Sequence, residues 1–356
     1  MRIAFDVSPL SHPATGVGNY IRGTLAGLLE ASAGAHEIVA FAPTSLRGPA
    51  RIRWALSGLD VEVRTWPLPA SHAVRTVWSM AGHPVAERFL GPCDVLQFTD
   101  WMYPAQRAGV RATMIHDLVP LRFPEWTTKR TQAMHGRKYA NAARTCDVIF
   151  VNSAFTGADV TELLGVDPAR IRVAPPGVKE VFVADGPAAA LAAPYILTVA
   201  TLEPRKNLQA LVEAHRLLGG DMLLAVVGGE GWGEQPMLND PRVRRLGFVS
   251  DEELAQLYRG AAVAVYPSRF EGFGMPIVEA MACGTPVVAS AHASMDEASG
   301  TVAVRADPDD PAAIATAIEA AVAARERLIP AGISHAARFT WRAAAEIMLA
   351  GYEDAS

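Results

Sequence analysis

Short runs of β-branched and other apolar residues alternate along this chain with longer segments whose apolar positions recur every three to four residues. In the first half, RIAFDVS (2–8), HEIVAFA (36–42), VEVRTW (61–66), DVLQF (94–98), RATMIHD (111–117), DVIFVNS (147–153) and IRVAPPG (171–177) predict strands. Helical periods lie between several of them, as at 17–31 and 124–145. Strands alternating with helices predict a parallel sheet joined by right-handed crossovers. The rhythm lapses at VADGPAAALAAP (183–194), which carries neither period and reads as a linker. It restarts with YILTVA (195–200), MLLAVVG (222–228), RRLGFV (244–249), VAVYPS (263–268), PVVAS (286–290) and VAVRA (302–306). Helices near 310–327 and 341–353 close the chain. The expectation is an α/β protein of two consecutive Rossmann-like domains, 1–183 and 190–340.

Length agrees, since 356 residues exceed one typical core. Half the residues are hydrophobic and 19% are charged, ordinary values for a soluble enzyme. No apolar run approaches the roughly 20 residues needed to span a bilayer. The opening MRIAFDVSPL shows no secretory signal, so a cytoplasmic location is expected. Cys93, Cys146 and Cys283 are scattered, and the nine histidines form no HExxH or close pair. Neither a disulfide framework nor a bound metal is expected. The net charge of −5 is uneven. Residues 1–180 carry 19 Lys+Arg against 15 Asp+Glu, or +4, and the remainder 13 against 22, or −9. That asymmetry fits an anionic partner for the first half, or a chance spread of solvated charge. No nucleic-acid partner is expected.

In open parallel sheets, ligands gather at the carboxyl ends of the strands, and two such domains facing each other form a cleft. Candidate chemistry falls at such ends. In SRFEGFGMPIVEAMACGTPVVAS (268–290) a loop leaves the strand VAVYPS, and Pro276 suits the first turn of a helix that stops at Gly284. A glycine turn feeding a helix N-terminus offers backbone N–H groups and a positive dipole end to an anion. Glu279, one turn in, would be repelled by that anion and should accept hydrogen bonds from neutral hydroxyls such as a ribose diol. Glu271, on the loop, could bind the hydroxyls of a second polyol. A phosphate flanked by two polyols describes a nucleotide-sugar; the competing reading makes both glutamates exposed residues of an ordinary crossover.

The stretch E-G-F-G-M-P-I-V-E-A-M-A-C-G-T-P-V-V resembles the E-x7-E signature of glycosyltransferase family 4, retaining enzymes with the GT-B fold of two Rossmann-like domains across a cleft. The resemblance covers the second half and, more loosely, the whole chain. It implies that Glu271 and the Gly272–Phe273–Gly274 turn hold the donor sugar and that Glu279 holds the ribose. EPRKN (203–207) resembles the family's phosphate-binding segment, placing Arg205 and Lys206 on the diphosphate, ahead of a helix capped by Asn207. The chain has four lysines among 28 arginines, which singles out Lys206. Where many members carry an arginine right after the strand, this chain has Ala200–Thr201–Leu202, so Arg205 should take that role. The segment also resembles the subset using GDP-mannose.

Further cleft positions rest on the same resemblance. In LGFVSDEEL (246–254), Gly247, Phe248 and Val249 stand where the family's backbone holds the nucleobase, ahead of a capping box from Ser250 to Glu253. VVGGEGWG (226–233) reads equally as a tight turn. TGVGNYIRG (15–23) is no dinucleotide fingerprint, because Ile21 stands where GxGxxG needs glycine. It resembles the family's mobile glycine loop, with Gly16 and Gly18 approaching the diphosphate, or it is a surface turn. MIHDLVPLRFP (114–124) resembles the H-D-x-x-P motif and puts His116 beside the reacting sugar carbon, through its ring or its carbonyl. Residues 122–144 combine Arg122, Lys129, Arg130, Arg137, Lys138 and Arg144 with Phe123, Trp126 and Tyr139. They could lie on anionic lipid at the inner membrane face, or form a solvated face. The resemblance also implies that the last helix, 341–356, crosses back onto the first domain, as in this fold.

The activity implied is transfer of a glycosyl unit, with retention, from a nucleotide diphosphate sugar to a hydroxyl of a glycan or lipid-linked acceptor. No cofactor is required. No protein base or nucleophile stands out, which suits same-face substitution with the departing phosphate taking the acceptor proton. DPDD (307–310) reads as a helix cap. The alternatives are a nucleotide-sugar 2-epimerase of the same fold and a non-catalytic nucleotide-sugar-binding subunit.

Overall fold

The structure, a computed structural model, describes residues 1–12, 16–99, 102–231 and 240–356. All thirteen runs singled out above form strands: β1 Arg2–Asp6, β2 Glu37–Thr44, β3 Glu62–Pro67, β4 Val95–Phe98, β5 Val110–Ile115, β6 Val148–Val151, β7 Ile171–Val173, β8 Tyr195–Val199, β9 Leu223–Val227, β10 Val243–Gly247, β11 Val263–Tyr266, β12 Val287–Ser290 and β13 Val304–Ala306. They build two sheets, ordered β3-β2-β1-β4-β5-β6-β7 and β10-β9-β8-β11-β12-β13. Every pairing is parallel. The order reverses beside the first strand of each sheet, between β1 and β4 and between β8 and β11, and ligands sit at such switch points.

Covering both faces of a parallel sheet demands apolar residues on both sides of each strand. In the second sheet Ile196, Leu224, Val226, Val263, Val265 and Val288 face the helices Leu208–Leu218 and Pro311–Ala323. Their neighbours Tyr195, Leu197, Ala225, Ala264 and Tyr266 face Asp251–Gly260 and Met275–Ala282. Asp310 caps Pro311–Ala323, accepting from the N–H groups of Ala312 and Ala313. The expected helix over 310–327 breaks at Ala324, and a further helix, Arg325–Ala336, follows with Pro330 inside it.

The chain divides into two compact units: residues 1–177 with 340–356, and residues 178–339. The crossing at Gly177 precedes the small-residue stretch 183–194. That stretch is tied to the second unit, where Ala189 N–H donates to the Gln256 carbonyl and Arg259 donates to the carbonyls of Pro187 and Val183. Composition alone could not show those anchors. Helix Trp341–Asp354 lies in the first unit against Gly16–Ser32, sharing a core of Leu25, Leu28, Ala345, Met348 and Tyr352 beneath β1. Gly23 and Gly27, one turn apart, let the two helices touch. A Cβ on Gly27 would lie 2.1 Å from the Trp341 carbonyl oxygen, and one on Gly23 2.1 Å from the Trp341 ring. Gly27→Ala is therefore expected to cost about 1–3 kcal/mol by overpacking and to lower the melting temperature by several degrees. An unchanged melt would mean that the two helices part at no cost.

The segment 122–144 is less uniformly basic in three dimensions than in sequence. Lys138 is buried and donates to the Met114 carbonyl at 2.7 Å. Arg122 pairs with Asp159 at 2.6 Å and Glu162 at 2.8 Å. Phe123 stacks on Trp126, centroids 4.2 Å apart. Only Lys129, Arg130, Arg137 and Arg144 of that run face outward, on helix Lys129–Thr145. No helix among the described residues is long and apolar enough to cross a membrane.

Candidate active site

At the switch point of the second sheet, the loops leaving β8 and β11 bring together three of the singled-out side chains. The Glu271 carboxylate sits between both cations: Lys206 Nζ is 2.8 Å from Oε1 and Arg205 Nη1 is 2.6 Å from Oε2. Lys206 also donates to the Tyr266 hydroxyl at 2.8 Å and lies 5.1 Å from that ring's centroid. Arg205 donates to the Phe270 carbonyl at 2.8 Å and lies 3.3 Å from Glu203 Oε1. These side chains are only 10–14% exposed, so little water screens the cluster. Burial works to raise the Glu271 carboxyl, but Arg205 and Lys206 outweigh it and hold it down to about 2. Burial likewise opposes the charge on Lys206, and Glu271 nevertheless leaves its ammonium raised. The sequence reading assigned the cations and Glu271 to different parts of a ligand, whereas the structure makes them one ion cluster.

The turn after Glu271 is held from both ends. The Glu271 N–H donates to Ser294 Oγ at 3.1 Å, and that hydroxyl contacts His292 Nδ1 at 2.9 Å. Gly272 and Gly274 are buried, and Gly274 adopts φ +102°, which L side chains rarely adopt. Phe273 turns its ring into the core, edge-on to Phe339 at 5.3 Å, so only its backbone belongs to the turn. Helix Met275–Ala282 starts with Gly274 as N-cap and no side-chain cap; Pro276 has no N–H and the Ile277 N–H donates to the Gly274 carbonyl at 3.0 Å, so the helix offers an anion its positive end more than free N–H groups. Glu279, half-buried, lies 3.5 Å from the Tyr258 hydroxyl. Burial pushes its carboxyl up to about 7, with Asp251 adding to the rise and Lys179 opposing it. Lys179 and Asp251 pair at 2.6 Å.

The neighbouring loops explain their glycines. A Cβ on Gly228 would meet the Ala200 carbonyl oxygen, and one on Gly231 the Leu202 carbonyl oxygen, each at 2.1 Å. Those glycines let the loop after β9 pass against the loop after β8, which is the tight-turn reading; Trp232 and Gly233 lie outside the described residues. Gly247 has φ +70° and accepts from Gly228 N–H at 2.9 Å; Phe248 is 78% exposed and Val249 half-buried. The expected capping box is present, Ser250 and Glu253 bonding reciprocally at 3.2 and 2.8 Å. Asn207 departs from expectation. Its backbone is left-handed and its amide donates to the Pro308 carbonyl, so it ties the helix start to the 307–310 loop instead of capping the helix.

In the first unit, His116 follows β5 and is held twice by Asn152, at the end of β6. Its Nδ1 is 3.3 Å from Asn152 Oδ1, and its carbonyl accepts from the Asn152 amide at 3.3 Å. Tyr20 packs edge-on against the imidazole at 4.6 Å. Asp117 closes a turn by accepting from Val119 N–H. Gly16 and Gly18 lie in the first turn of helix Gly16–Ser32 rather than in a loop, and Thr15 lies outside the described residues. A helical period beginning at Val17 already pointed that way. Tyr266, Tyr258, Asn152 and Tyr20 escaped the sequence reading, and the signal for Tyr266 was a polar-tipped aromatic closing a buried strand. Among the described residues, no group of three or more His, Cys, Asp or Glu could hold a metal.

Two family models match the chain. "Glycosyltransferase Family 4" covers residues 14–181 and "Glycosyl transferases group 1" covers 193–324. The chain is 27% identical to the O-antigen chain mannosyltransferase B of Escherichia coli, over 96% of each protein. It is 34% identical to a D-inositol 3-phosphate glycosyltransferase of Geodermatophilus obscurus, over 59% of this chain and 53% of that one. Among solved structures, sucrose-phosphate synthase from Thermosynechococcus elongatus superposes with a TM-score of 0.71 at 21% identity, covering 99% and 98% of the two chains. Anabaena Alr3699/HepE in complex with UDP and glucose gives 0.70 at 18%, covering 99% of each. At such identities the structural likeness concerns the fold.

Proposed function

The chain belongs to glycosyltransferase family 4 and is a glycosyltransferase of GT-B fold, and from that premise we propose a retaining transfer of mannose from GDP-mannose to a hydroxyl of a growing glycan or lipid-linked acceptor. The observation that carries the reading is the Arg205–Glu271–Lys206 cluster beside an uncapped helix N-terminus at a sheet switch point. The mannosyl donor and glycan acceptor are favoured by likeness, along nearly the whole chain, to a protein named an O-antigen mannosyltransferase. The relatives named for inositol phosphate match only part of it.

In this mechanism the donor diphosphate meets Lys206, Arg205 and the positive N-terminal end of helix Met275–Ala282. Negative charge grows on the departing phosphate, and preorganised donors in a water-poor site are worth most there. Because the Arg205 fork already holds protein oxygens, gripping the phosphate requires it to exchange one of them, and Glu271 is the partner that gains sugar hydroxyls in return. Glu279 accepts the ribose hydroxyls, and the Gly247–Val249 backbone faces the base. In the first unit His116 and the helix start at Gly16 and Gly18 remain the candidate positions, and the departing phosphate takes the acceptor proton. Purified protein incubated with labelled GDP-, UDP- and dTDP-sugars and a lipid-linked glycan tests this. Transfer from GDP-mannose is the expected result; epimerisation without acceptor, or binding without turnover, would overturn it.

A further inference from the structure

His116 and Asn152 meet because β5 and β6 pair in register, Ile115 beside Val151, so the next residue of each strand stands at the same carboxyl edge. Asn152 is buried and His116 half-buried. The asparagine spends both ends of its amide on this one neighbour. Its Nδ2 donates to the His116 carbonyl at 3.3 Å, and its Oδ1 lies 3.3 Å from His116 Nδ1. A carbonyl oxygen only accepts, so the amide nitrogen has to face it; the reversed amide would set oxygen against oxygen. That turns Oδ1 toward the ring. Oδ1 likewise only accepts, so Nδ1 carries the proton, and in the neutral imidazole Nε2 keeps the lone pair. Tyr20, buried and edge-on to the imidazole with centroids 4.6 Å apart, steadies the plane of the ring.

We propose that Asn152 is a positioning residue that sets the His116 tautomer, so that Nε2 accepts a hydrogen bond from a substrate hydroxyl. The consequence is chemical selectivity. A neutral imidazole of this tautomer has no N–H at Nε2; it binds an O–H donor there and repels a phosphate oxygen. His116 thus belongs with the sugar hydroxyls and not with the diphosphate. The ring is the working group, the carbonyl being engaged by Asn152. The presence of a sugar hydroxyl rests on the transferase reading proposed above, whereas the tautomer is a property of the protein alone.

Long-range proton–nitrogen NMR of the full chain, labelled in its histidine rings, reads the tautomer directly. It is recorded at about pH 8.5, roughly two units above the ordinary histidine value, and the His116 signal is identified by its loss in His116→Ala. A proton on Nδ1 and an unprotonated Nε2 are expected in the parent; a proton on Nε2 there would overturn the proposal. Asn152→Leu should let the proton move to Nε2 and lower kcat about tenfold, the worth of one hydrogen bond. Asn152→Asp, which keeps an acceptor for Nδ1–H, should restore the tautomer and most of the turnover. The double variant His116→Ala/Asn152→Leu should be no slower than His116→Ala, because the asparagine acts through the ring. A further loss in the double variant would overturn the positioning role. Weaker donor affinity of Asn152→Leu without acceptor assigns the hydroxyl to the donor sugar, and unchanged affinity with lowered turnover assigns it to the acceptor. Should a thermal melt show Asn152→Leu misfolded, the parent spectrum still decides the tautomer. The expected tautomer with near-normal turnover in His116→Ala would overturn instead the place of His116 in the reaction.

Discussion

Lys206→Ala is expected to lower kcat on the order of 10²–10³-fold, the loss typical of removing one preorganised donor from developing negative charge. The side chain is 12% exposed and held by Glu271 and Tyr266, so its ammonium cannot be replaced by bulk cations or by a mobile neighbour. The effect should fall on kcat more than on KM, because the charge it faces grows in the transition state. Lys206→Arg should rescue little, since a planar fork does not reproduce a point charge fitted between one carboxylate oxygen and one hydroxyl. Steady-state assays with the donor that proves active decide it, and near-normal turnover in Lys206→Ala would remove this residue from the chemistry.

Glu271→Gln should act on stability as well as activity. The carboxylate is the shared counter-charge of Arg205 and Lys206, and removing one member of a buried ion cluster costs about 3–5 kcal/mol by leaving uncompensated charge. The pH dependence has a definite sign. A carboxyl whose folded value is depressed from 4.5 to about 2 contributes its stabilisation above about 4.5 and loses it as pH falls toward 2. The variant lacks that contribution at every pH. Denaturant melts at pH 7 and near pH 3 should therefore show a wide gap between parent and variant that narrows in acid. A gap independent of pH would show that packing, not charge, holds the turn.

Much of the architecture was legible because parallel strands covered on both faces must be continuous apolar runs, and all thirteen stood out. The turn at Gly274, the cap at Asp310 and the Ser250–Glu253 box were legible too, since each depends on residues within one turn of chain. What escaped depends on distant partners. Nothing near Asn207 announces that its amide reaches Pro308, and nothing in the Arg-rich run at 122–144 announces that Lys138 turns inward to Met114. The helix Arg325–Ala336 was hidden by Pro330, which local propensity counts against a helix interior. The joining of Arg205, Lys206 and Glu271 required knowing that β8 and β11 are neighbours. Strand order is a property of the whole sheet.

The division of the chain bears on how it is made. A ribosome releases residues 1–177 long before 340–356, yet both belong to one compact body. Until its last helix emerges, the nascent first body leaves Leu25, Leu28 and the underside of β1 without the cover of Ala345, Met348 and Tyr352. The middle unit, continuous in sequence, can mature earlier, so synthesis order and completion order are reversed for the two halves. Chains arrested just short of residue 340 should bind chaperones or aggregate through that open seam.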